Sequence, residues 1–425
     1  MKNIQNNSKE FKILLNSTIA KKQKRRELNA QLAEELKTIE KTQQIYNSVY
    51  TAVSAANEDS KPKIINFNGC ANLLSVDEIK HTKNLTSCAN MFKNCTQLQY
   101  VNTLNFDTSN VTNMTDMFSG CYSLLSLDTL NFNTSKVRLM NSMFYSCTKL
   151  KSLDLSNWDT SNVTTISHMF RYCNSLTTIE GINNFNLIKT TQIDNTFQGC
   201  SSLVSIDLSN WNVSNVKNMS IMFDMCTSLE SVNLNGWITS NVTDMGYMFN
   251  QCQKLKSIDV NHFDTSNVTS MVGIFQNCYE MESIDLSNWN VSKVQDMSYM
   301  FNAGDGTYLK WHTIKLGPGW RTSSATTMYC MFSDADKLTT IEGLEYFDTS
   351  NVTNMGWMFA RCKALTSLAG IKNWDVSNLT DTRGMFSECL ALRDLDVSKW
   401  NVSKLKVAHD MFNWCRSLPS LDVSN

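Results

Sequence analysis

Cysteine is the residue type whose number and spacing in this sequence could support chemistry. The chain has 14 cysteines, and the two closest, Cys88 and Cys95, are seven residues apart, so the paired spacing typical of zinc sites is absent. Free cysteine packs as a small hydrophobic side chain, so a buried structural column is predicted, with no metal site and no cofactor. Twelve cysteines occupy one position of a recurrent motif: Cys70, Cys95, Cys121, Cys147, Cys173, Cys200, Cys226, Cys252, Cys278, Cys362, Cys389 and Cys415.

Histidine is the second residue type that could do chemistry. The five histidines are scattered, and none has a cysteine, serine or acidic partner at a motif spacing. The sequence therefore predicts no catalytic activity. These residues are His81, His168, His262, His312 and His409.

A third group of candidate residues lies in an irregular segment between Phe301 and Phe332. This segment loses the motif cysteine and gains several glycines, so it is predicted to form a protruding loop. Aromatic and polar side chains on a loop held by a rigid scaffold can bind a ligand, although a tolerated insertion is the alternative. The candidate ligand-binding residues are Asp305, Tyr308, Trp311 and His312.

A repeat positions all of these residues. The phenylalanine of a recurrent Met-Phe pair serves as the anchor of each unit, and eight of the twelve spacings between anchors are 26 residues, three are 27 and one is 31. With a partial unit at Phe67, about fourteen units are predicted, and such a period indicates a solenoid. The anchors are Phe92, Phe118, Phe144, Phe170, Phe197, Phe223, Phe249, Phe275, Phe301, Phe332, Phe359, Phe386 and Phe412.

Each unit changes its apolar period along its length. Leu153 and Leu155 alternate with polar residues, which predicts a short strand with one buried face. Met114, Met117, Phe118 and Cys121 follow an i, i+3, i+4, i+7 series, which predicts a short helix. The predicted fold class is α/β, a leucine-rich-repeat-like solenoid with a parallel sheet and short helices. The alternative is a parallel β-helix-type solenoid in which the Val163-type segment forms a second strand.

Stacked units place equivalent residues in columns, and each column predicts a role. An aromatic column that is always Phe or Trp indicates core packing. Asparagine and serine columns should pair with backbone groups. An acidic column is predicted to be a solvated face: Asp154, Asp207, Asp259, Asp285, Asp396 and Asp422. The aromatic column is Phe106, Phe132, Trp158, Phe185, Trp211, Trp237, Phe263, Trp289, Trp320, Phe347, Trp374 and Trp400.

The N-terminal segment differs from the repeats, so the chain is divided into residues 1–61 and 62–425. Residues 17–56 carry no Gly or Pro and place apolar residues such as Leu28, Leu32 and Leu36 along one stripe, which predicts one long helix. This helix could cap the solenoid. Its alternatives are self-association as a coiled coil and attachment to a larger particle.

Composition excludes several classes of partner. Lys+Arg 38 against Asp+Glu 39 gives a net charge of −1, so no nucleic-acid-binding surface is predicted. No apolar run approaches the length of about 18 residues that a membrane span requires. The N-terminal residues show no signal peptide or lipidation motif, which leaves localisation open between the cell surface, a virion and the cytoplasm.

The units resemble a known repeat family. The LDLSNWDTSNVT segment of Leu153 to Thr164, with the Met-Phe-x-x-Cys-x-x-Leu pattern of Met117 to Leu124, resembles the BspA-like bacterial surface-protein repeat of the leucine-rich-repeat superfamily. The resemblance covers residues 62–425. It implies a non-catalytic, adhesin-like scaffold that binds protein or glycan at a bacterial surface. The alternatives are a phage structural component anchored by the N-terminal helix and a cytosolic protein–protein scaffold.

Overall fold

The computed structural model describes residues 65–77, 79, 82–304 and 309–419. The chain divides into two compact units, Met1–Lys61 with Asn72–Leu74, and Pro62–Ala71 with Ser75–Asn425. The predicted N-terminal helix, Asp305, Tyr308 and Asp422 lie outside the described residues. The domain boundary at residues 61/62 and the number of repeat units therefore stay predictions.

The second unit contains a series of short parallel strands, one per repeat where a strand forms. β3 pairs in register with β4, which places Leu153 opposite Ile179, and β7, β8 and β9 form a three-stranded sheet. The predicted strand is therefore confirmed. The strands are β1 Ser75–Val76, β2 Tyr100–Val101, β3 Ser152–Asp154, β4 Thr178–Glu180, β5 Ser205–Asp207, β6 Ser231–Asn233, β7 Ser283–Leu286, β8 Thr313–Leu316 and β9 Thr340–Glu342.

The second half of each unit is not helical, so the prediction of a short helix per unit is wrong. Within the described residues there is no α-helix, and the helical elements are three 3-10 helices, Ile182–Asn184, Leu344–Tyr346 and Ala369–Asn373. A parallel ladder of single-residue bridges instead joins successive turns from Ser87 to Val407. This is the second ladder that the β-helix-type alternative required. The fold is a parallel β-solenoid of the leucine-rich-repeat-like kind.

Backbone conformation explains why the helix does not form. Two residues before and after the anchor Phe144, Ser142 and Ser146 have φ angles of 57° and 58°, in the left-handed region. Such residues interrupt a right-handed helix and turn alternate amides along the solenoid axis. The Phe118 amide accordingly donates to the Met143 carbonyl oxygen of the next turn at 2.8 Å. The apolar spacing reflects which side chains face inward, not a helical hydrogen-bond pattern.

Two aromatic columns fill the core. Anchor rings on successive turns stack, as in Phe118 and Phe144, whose centroids are 5.7 Å apart with an interplanar angle of 1°. The predicted core role of the second aromatic column is confirmed, because its rings are buried and also stack between turns. Its tryptophans donate the indole N–H to a carbonyl oxygen of the preceding turn, as in Trp211 to Ile182 at 2.7 Å.

The predicted structural role of the cysteine column is also confirmed. All 14 thiols are free, and twelve of them are buried, namely ten members of the column together with Cys88 and Cys330, whereas the column members Cys70 and Cys415 are exposed and half-buried. Column thiols donate to the carbonyl oxygen of an anchor phenylalanine one turn earlier, as in Cys147 Sγ to Phe118 O at 3.2 Å. Burial raises the pKa of these thiols, to about 12 for Cys173. They are therefore neutral core groups and not thiolate ligands or nucleophiles.

Polar columns hold the turns together. The predicted pairing of asparagines with backbone is confirmed, since Asn162 Nδ2 donates to the Ser135 carbonyl oxygen at 2.8 Å, one turn earlier. The acidic column does more than face solvent, because its carboxylates cap the turn that follows each strand. The Ser156 amide donates to Asp154 Oδ1 at 3.0 Å, and hydrogen bonds from Ser156 lower the pKa of this carboxyl group.

Candidate interaction surface

Two of the four candidate residues of the irregular unit, Trp311 and His312, lie in the described part of the chain. Trp311 is 1% exposed and packs edge-on against Phe301, with the ring centroids 5.9 Å apart, so the expectation of an exposed aromatic ring is wrong here. His312 precedes β8, is exposed, and donates its amide to the Glu282 carbonyl oxygen at 2.8 Å. The Trp311 indole is buried in the core, and the backbone from Trp311 onward therefore pairs with the preceding turn as part of the strand stack. The role of His312 in ligand binding stays a prediction.

Spatial neighbours of the histidines were not evident from the sequence. His168 Nδ1 lies 3.8 Å from Asp194, and burial is the main cause that lowers the pKa of this imidazole. The Ser167 hydroxyl donates to Asp194 at 2.6 Å. The Ser167 hydroxyl donates to the Asp194 carboxylate and not to the His168 imidazole. Ser167 and His168 therefore do not form a nucleophile–base pair.

The described residues also contain no group of three or more His, Cys, Asp or Glu side chains that could hold a metal ion. Within the same part of the chain, every helix is too short or too polar to cross a bilayer.

The outward side chains on and beside the strands form one continuous surface, here called the strand face. In several later turns this face carries charges that pair between neighbouring turns, although Val204, at the position equivalent to Leu125, is also 50% exposed. Lys315 Nζ lies 2.9 Å from Asp285, and the pKa of Asp285 is lowered, mainly by the hydrogen bond from the Ser287 side chain and also by Lys315. Equivalent pairs are Lys256–Glu230, Lys310–Glu280 and Lys372–Asp396. In each of these four pairs, a lysine of one turn neutralises a carboxylate of a neighbouring turn.

The early turns of the strand face are different, because they carry an apolar patch formed by Tyr100, Leu104, Leu125 and Leu130. The exposed fractions of these side chains run from 45% for Leu130 to 70% for Leu104. Leu104 and Leu130 occupy the same position of adjacent turns, and their amides donate to Asn102 and Asp128 at 3.0 and 3.1 Å. The Leu125 amide donates to the Gln99 carbonyl oxygen at 3.3 Å, which places Leu125 beside Tyr100.

Sequence reasoning missed this patch because it followed the columns that the repeat keeps constant. The signal lay in the variation within an outward column. Twelve residues after the anchor, the first two complete units have Leu104 and Leu130, where later units have Ser156 and Ser209. A contiguous exposed apolar patch that the core does not need is typical of an interaction site.

Together, the parallel strands, the bridge ladder and the stacked core define the class of this protein, a leucine-rich-repeat-like β-solenoid with an outward face that varies from turn to turn. A leucine-rich repeat protein from Bacteroides ovatus has the same fold, with 18% sequence identity, a TM-score of 0.54, and coverage of 86% of this chain and 84% of that chain. A leucine rich cell surface protein from Faecalibacterium prausnitzii is 17% identical over 86% of this chain and 90% of its own, with a TM-score of 0.38.

The family follows from the sequence itself. The model of the family described as "Mycoplasma protein of unknown function, DUF285" matches residues 86–205, 166–259, 226–316 and 308–421. These overlapping segments cover most of the chain, so the protein belongs to this family. The matches confirm the resemblance to BspA-like repeats. A comparison with curated proteins gives no significant match.

Proposed function

We propose that this protein is a non-catalytic scaffold that binds another protein through the strand face, with the apolar patch at the centre of the interface. The observation that carries this proposal is the contrast along one face. The later turns pair Lys315 with Asp285 and Lys256 with Glu230, whereas the early turns expose Leu104 and Leu130 to water. A rigid solenoid then presents the patch without reorganisation, which lowers the cost of association.

The chemistry of the patch favours a protein partner over a glycan. Leucine side chains offer no hydrogen bonds, and their contribution comes from burial, about 1.5–3 kcal/mol for each side chain fully removed from water. Tyr100 adds an aromatic ring, and aromatic residues are enriched among the residues that dominate binding energy. A complementary apolar surface on a folded protein would match these properties.

The site of action is proposed from the resemblance to BspA-like repeats, whose members are mostly bacterial surface proteins. A virion component attached through residues 17–56, or a cytosolic scaffold, would present the same strand face. Self-association through residues 17–56 would add avidity to any of these roles.

Replacing Leu104 and Leu130 together by serine is expected to abolish capture of the partner while leaving the fold intact. Serine already occupies the equivalent positions 156 and 209, so the backbone accepts it. The measurement compares partners recovered by immobilised wild-type protein and by the double variant, followed by rebinding of each purified partner. We expect the Kd for the true partner to rise at least tenfold.

The matched control is Ser156→Ala with Ser209→Ala, which alters the same column in turns outside the patch. This control is expected to bind as the wild type does. Equal binding of the purified partner by the Leu104/Leu130 variant would contradict the proposed interface.

A further inference from the structure

A row of aromatic side chains lies on the side of the solenoid that carries the bridge ladder, here called the bridge side. These rings are intermediate in burial, and the core does not depend on them because the two aromatic columns already fill it. Each lies within three residues of an anchor phenylalanine. The row comprises Tyr145, Tyr172, Tyr247, Tyr299, Tyr329 and Trp357.

Three of these rings pack against a glycine of the following turn. A Cβ atom at Gly199 would lie 2.4 Å from Tyr172 Cδ1, and one at Gly273 would lie 2.5 Å from Tyr247 Cε1. Positive φ does not by itself demand glycine here, since Ser146 and Met225 adopt φ angles of 58° and 60° at the position equivalent to Gly199. These glycines instead leave space for a ring to lie against the backbone of the following turn.

A polar ladder of Gln198, Asp224 and Asn250 occupies the three turns that follow the turn of Tyr172, and Asn250 shares its turn with Tyr247. Gln198 Nε2 donates to one oxygen of Asp224 at 2.7 Å, and Asn250 Nδ2 donates to the other at 2.8 Å. Gln198 and Asp224 are each only 7% exposed. The neighbouring Arg171 guanidinium lies 4.8 Å from the Tyr172 ring centroid.

This ladder is where the unsatisfied polar atoms of the structure concentrate. Five buried side-chain nitrogen or oxygen atoms lack a hydrogen-bond partner in the described part of the chain, and three of them are Arg171 Nε, Gln198 Oε1 and Asn250 Oδ1. Native proteins pair nearly all such atoms, so these three, spread over four successive turns, are available to pair with a ligand that reaches them. One of the three is a donor and two are acceptors. A hydroxyl group can serve both kinds.

The charge of this region excludes a polyanion as the natural occupant. Burial, followed by the charges of Asp296 and Asp224, raises the pKa of the Tyr247 hydroxyl, which shows that carboxylates face this ring. Arg171 is the cation that adjoins the ladder, and it is stacked against Tyr145 and Tyr172. Phosphate groups would meet carboxylates here, so the surface suits a neutral ligand.

We propose that Tyr172, Tyr247 and the ladder of Gln198, Asp224 and Asn250 form a binding site for a neutral polysaccharide. Sugar rings stack on the two tyrosines, on Tyr172 after the Arg171 side chain has rotated away from its ring, and their hydroxyl groups pair with the ladder. The tyrosines lie three turns apart, about 14 Å along the solenoid axis at the spacing of β-strands. Tyr172 follows its anchor by two residues and Tyr247 precedes its anchor by two, so the rings lie in different columns. The ligand is therefore an extended chain and not a monosaccharide. The site lies on the bridge side, so this inference goes beyond the proposed protein interface.

The test titrates the full chain with a panel of neutral linear hexasaccharides of the gluco, manno and galacto series, using calorimetry. At least one series is expected to bind, and Tyr172→Ala and Tyr247→Ala are each expected to raise its Kd at least tenfold. Gln198→Leu should weaken binding without removing either ring. Unchanged thermal unfolding of each variant would show that the fold is retained.

Leu104→Ser with Leu130→Ser serves as the control, since it alters the strand face and should leave glycan binding unchanged. Loss of protein binding in that variant with retained glycan binding would separate the two sites. Failure of every hexasaccharide to bind, binding that is insensitive to both tyrosine variants, or equally strong binding of single-stranded polyuridylate would overturn the inference.

Discussion

Raising the pH above about 8.5 is expected to destabilise this protein steeply, because twelve buried thiols stay protonated in the fold. Burial raises the pKa of Cys330 to about 11 and that of Cys173 to about 12. The unfolded chain loses these protons near pH 8.5 and the native chain does not, so stability is present below that pH and is lost as the pH rises. Each buried thiol then removes up to about 1.4 kcal/mol per pH unit from the free energy of unfolding.

The measurement is the urea midpoint under reducing conditions at about pH 7 and about pH 9.5. Alanine is an accepted replacement for the column cysteine in this fold, since Ala335 is buried three residues after its anchor Phe332, where other units have cysteine. A variant with Cys200→Ala, Cys226→Ala and Cys252→Ala should lose about a quarter of the pH dependence. An equal slope in this variant would contradict the role of the thiols.

Replacing Gly181 by alanine is expected to lower the free energy of unfolding by about 2–6 kcal/mol, from backbone strain and overpacking together. Gly181 has φ 74°, and a Cβ atom there would lie 2.4 Å from the backbone nitrogen and Cα of Ser156. Two turns of main chain meet at this point, so no side-chain rotation relieves the contact. Chemical denaturation of the wild type and the variant measures the loss.

Gly236→Ala is the matched control for this substitution. Gly236 has φ 84°, but the nearest atom to its Cβ position is the Ser209 carbonyl oxygen at 3.4 Å. This variant should therefore show the cost of the left-handed conformation alone, about 1–3 kcal/mol. The same loss in both variants would mean that the close approach of the turns at Gly181 contributes nothing to stability.

The columns of this fold could be predicted from the sequence because burial and repeat length fix them. Leu153 in its strand, the stacked Trp211 and the buried Cys147 all follow from which residues recur every 26 positions. The conformation of the second half could not be predicted in the same way. An i, i+3, i+4, i+7 pattern reports which side chains face inward, and it does not reveal that Ser142 and Ser146 adopt positive φ.

Local exceptions show a further limit of sequence reasoning. The 27-residue spacing between Phe170 and Phe197 contains one extra residue, and it is taken up by the 3-10 helix Ile182–Asn184, with Gly181 as its left-handed N-cap. Trp311 was expected on a protruding loop, yet the core draws it inward against Phe301. In both cases long-range packing between turns decides the outcome, and no local pattern encodes it.

The candidate sites depend on residues that the repeat does not require. Leu104 and Leu130 can be recognised as exposed only once the outward columns are known, because a leucine in a leucine-rich repeat is otherwise predicted to be buried in the core. The ladder of Gln198, Asp224 and Asn250 joins residues 26 positions apart, and its unsatisfied atoms are visible only in three dimensions. Variation against a constant scaffold is thus the most informative signal for function in this protein.

Hydrogen exchange of the wild-type protein, alone and with its purified protein partner, tests the central claim most directly. The proposed interface predicts slower exchange at amides of residues 99–104 and 125–130, with little change at the paired charges of the later turns. Slower exchange confined to residues 309–316 or to the bridge side, with residues 99–104 and 125–130 unaffected, would contradict it.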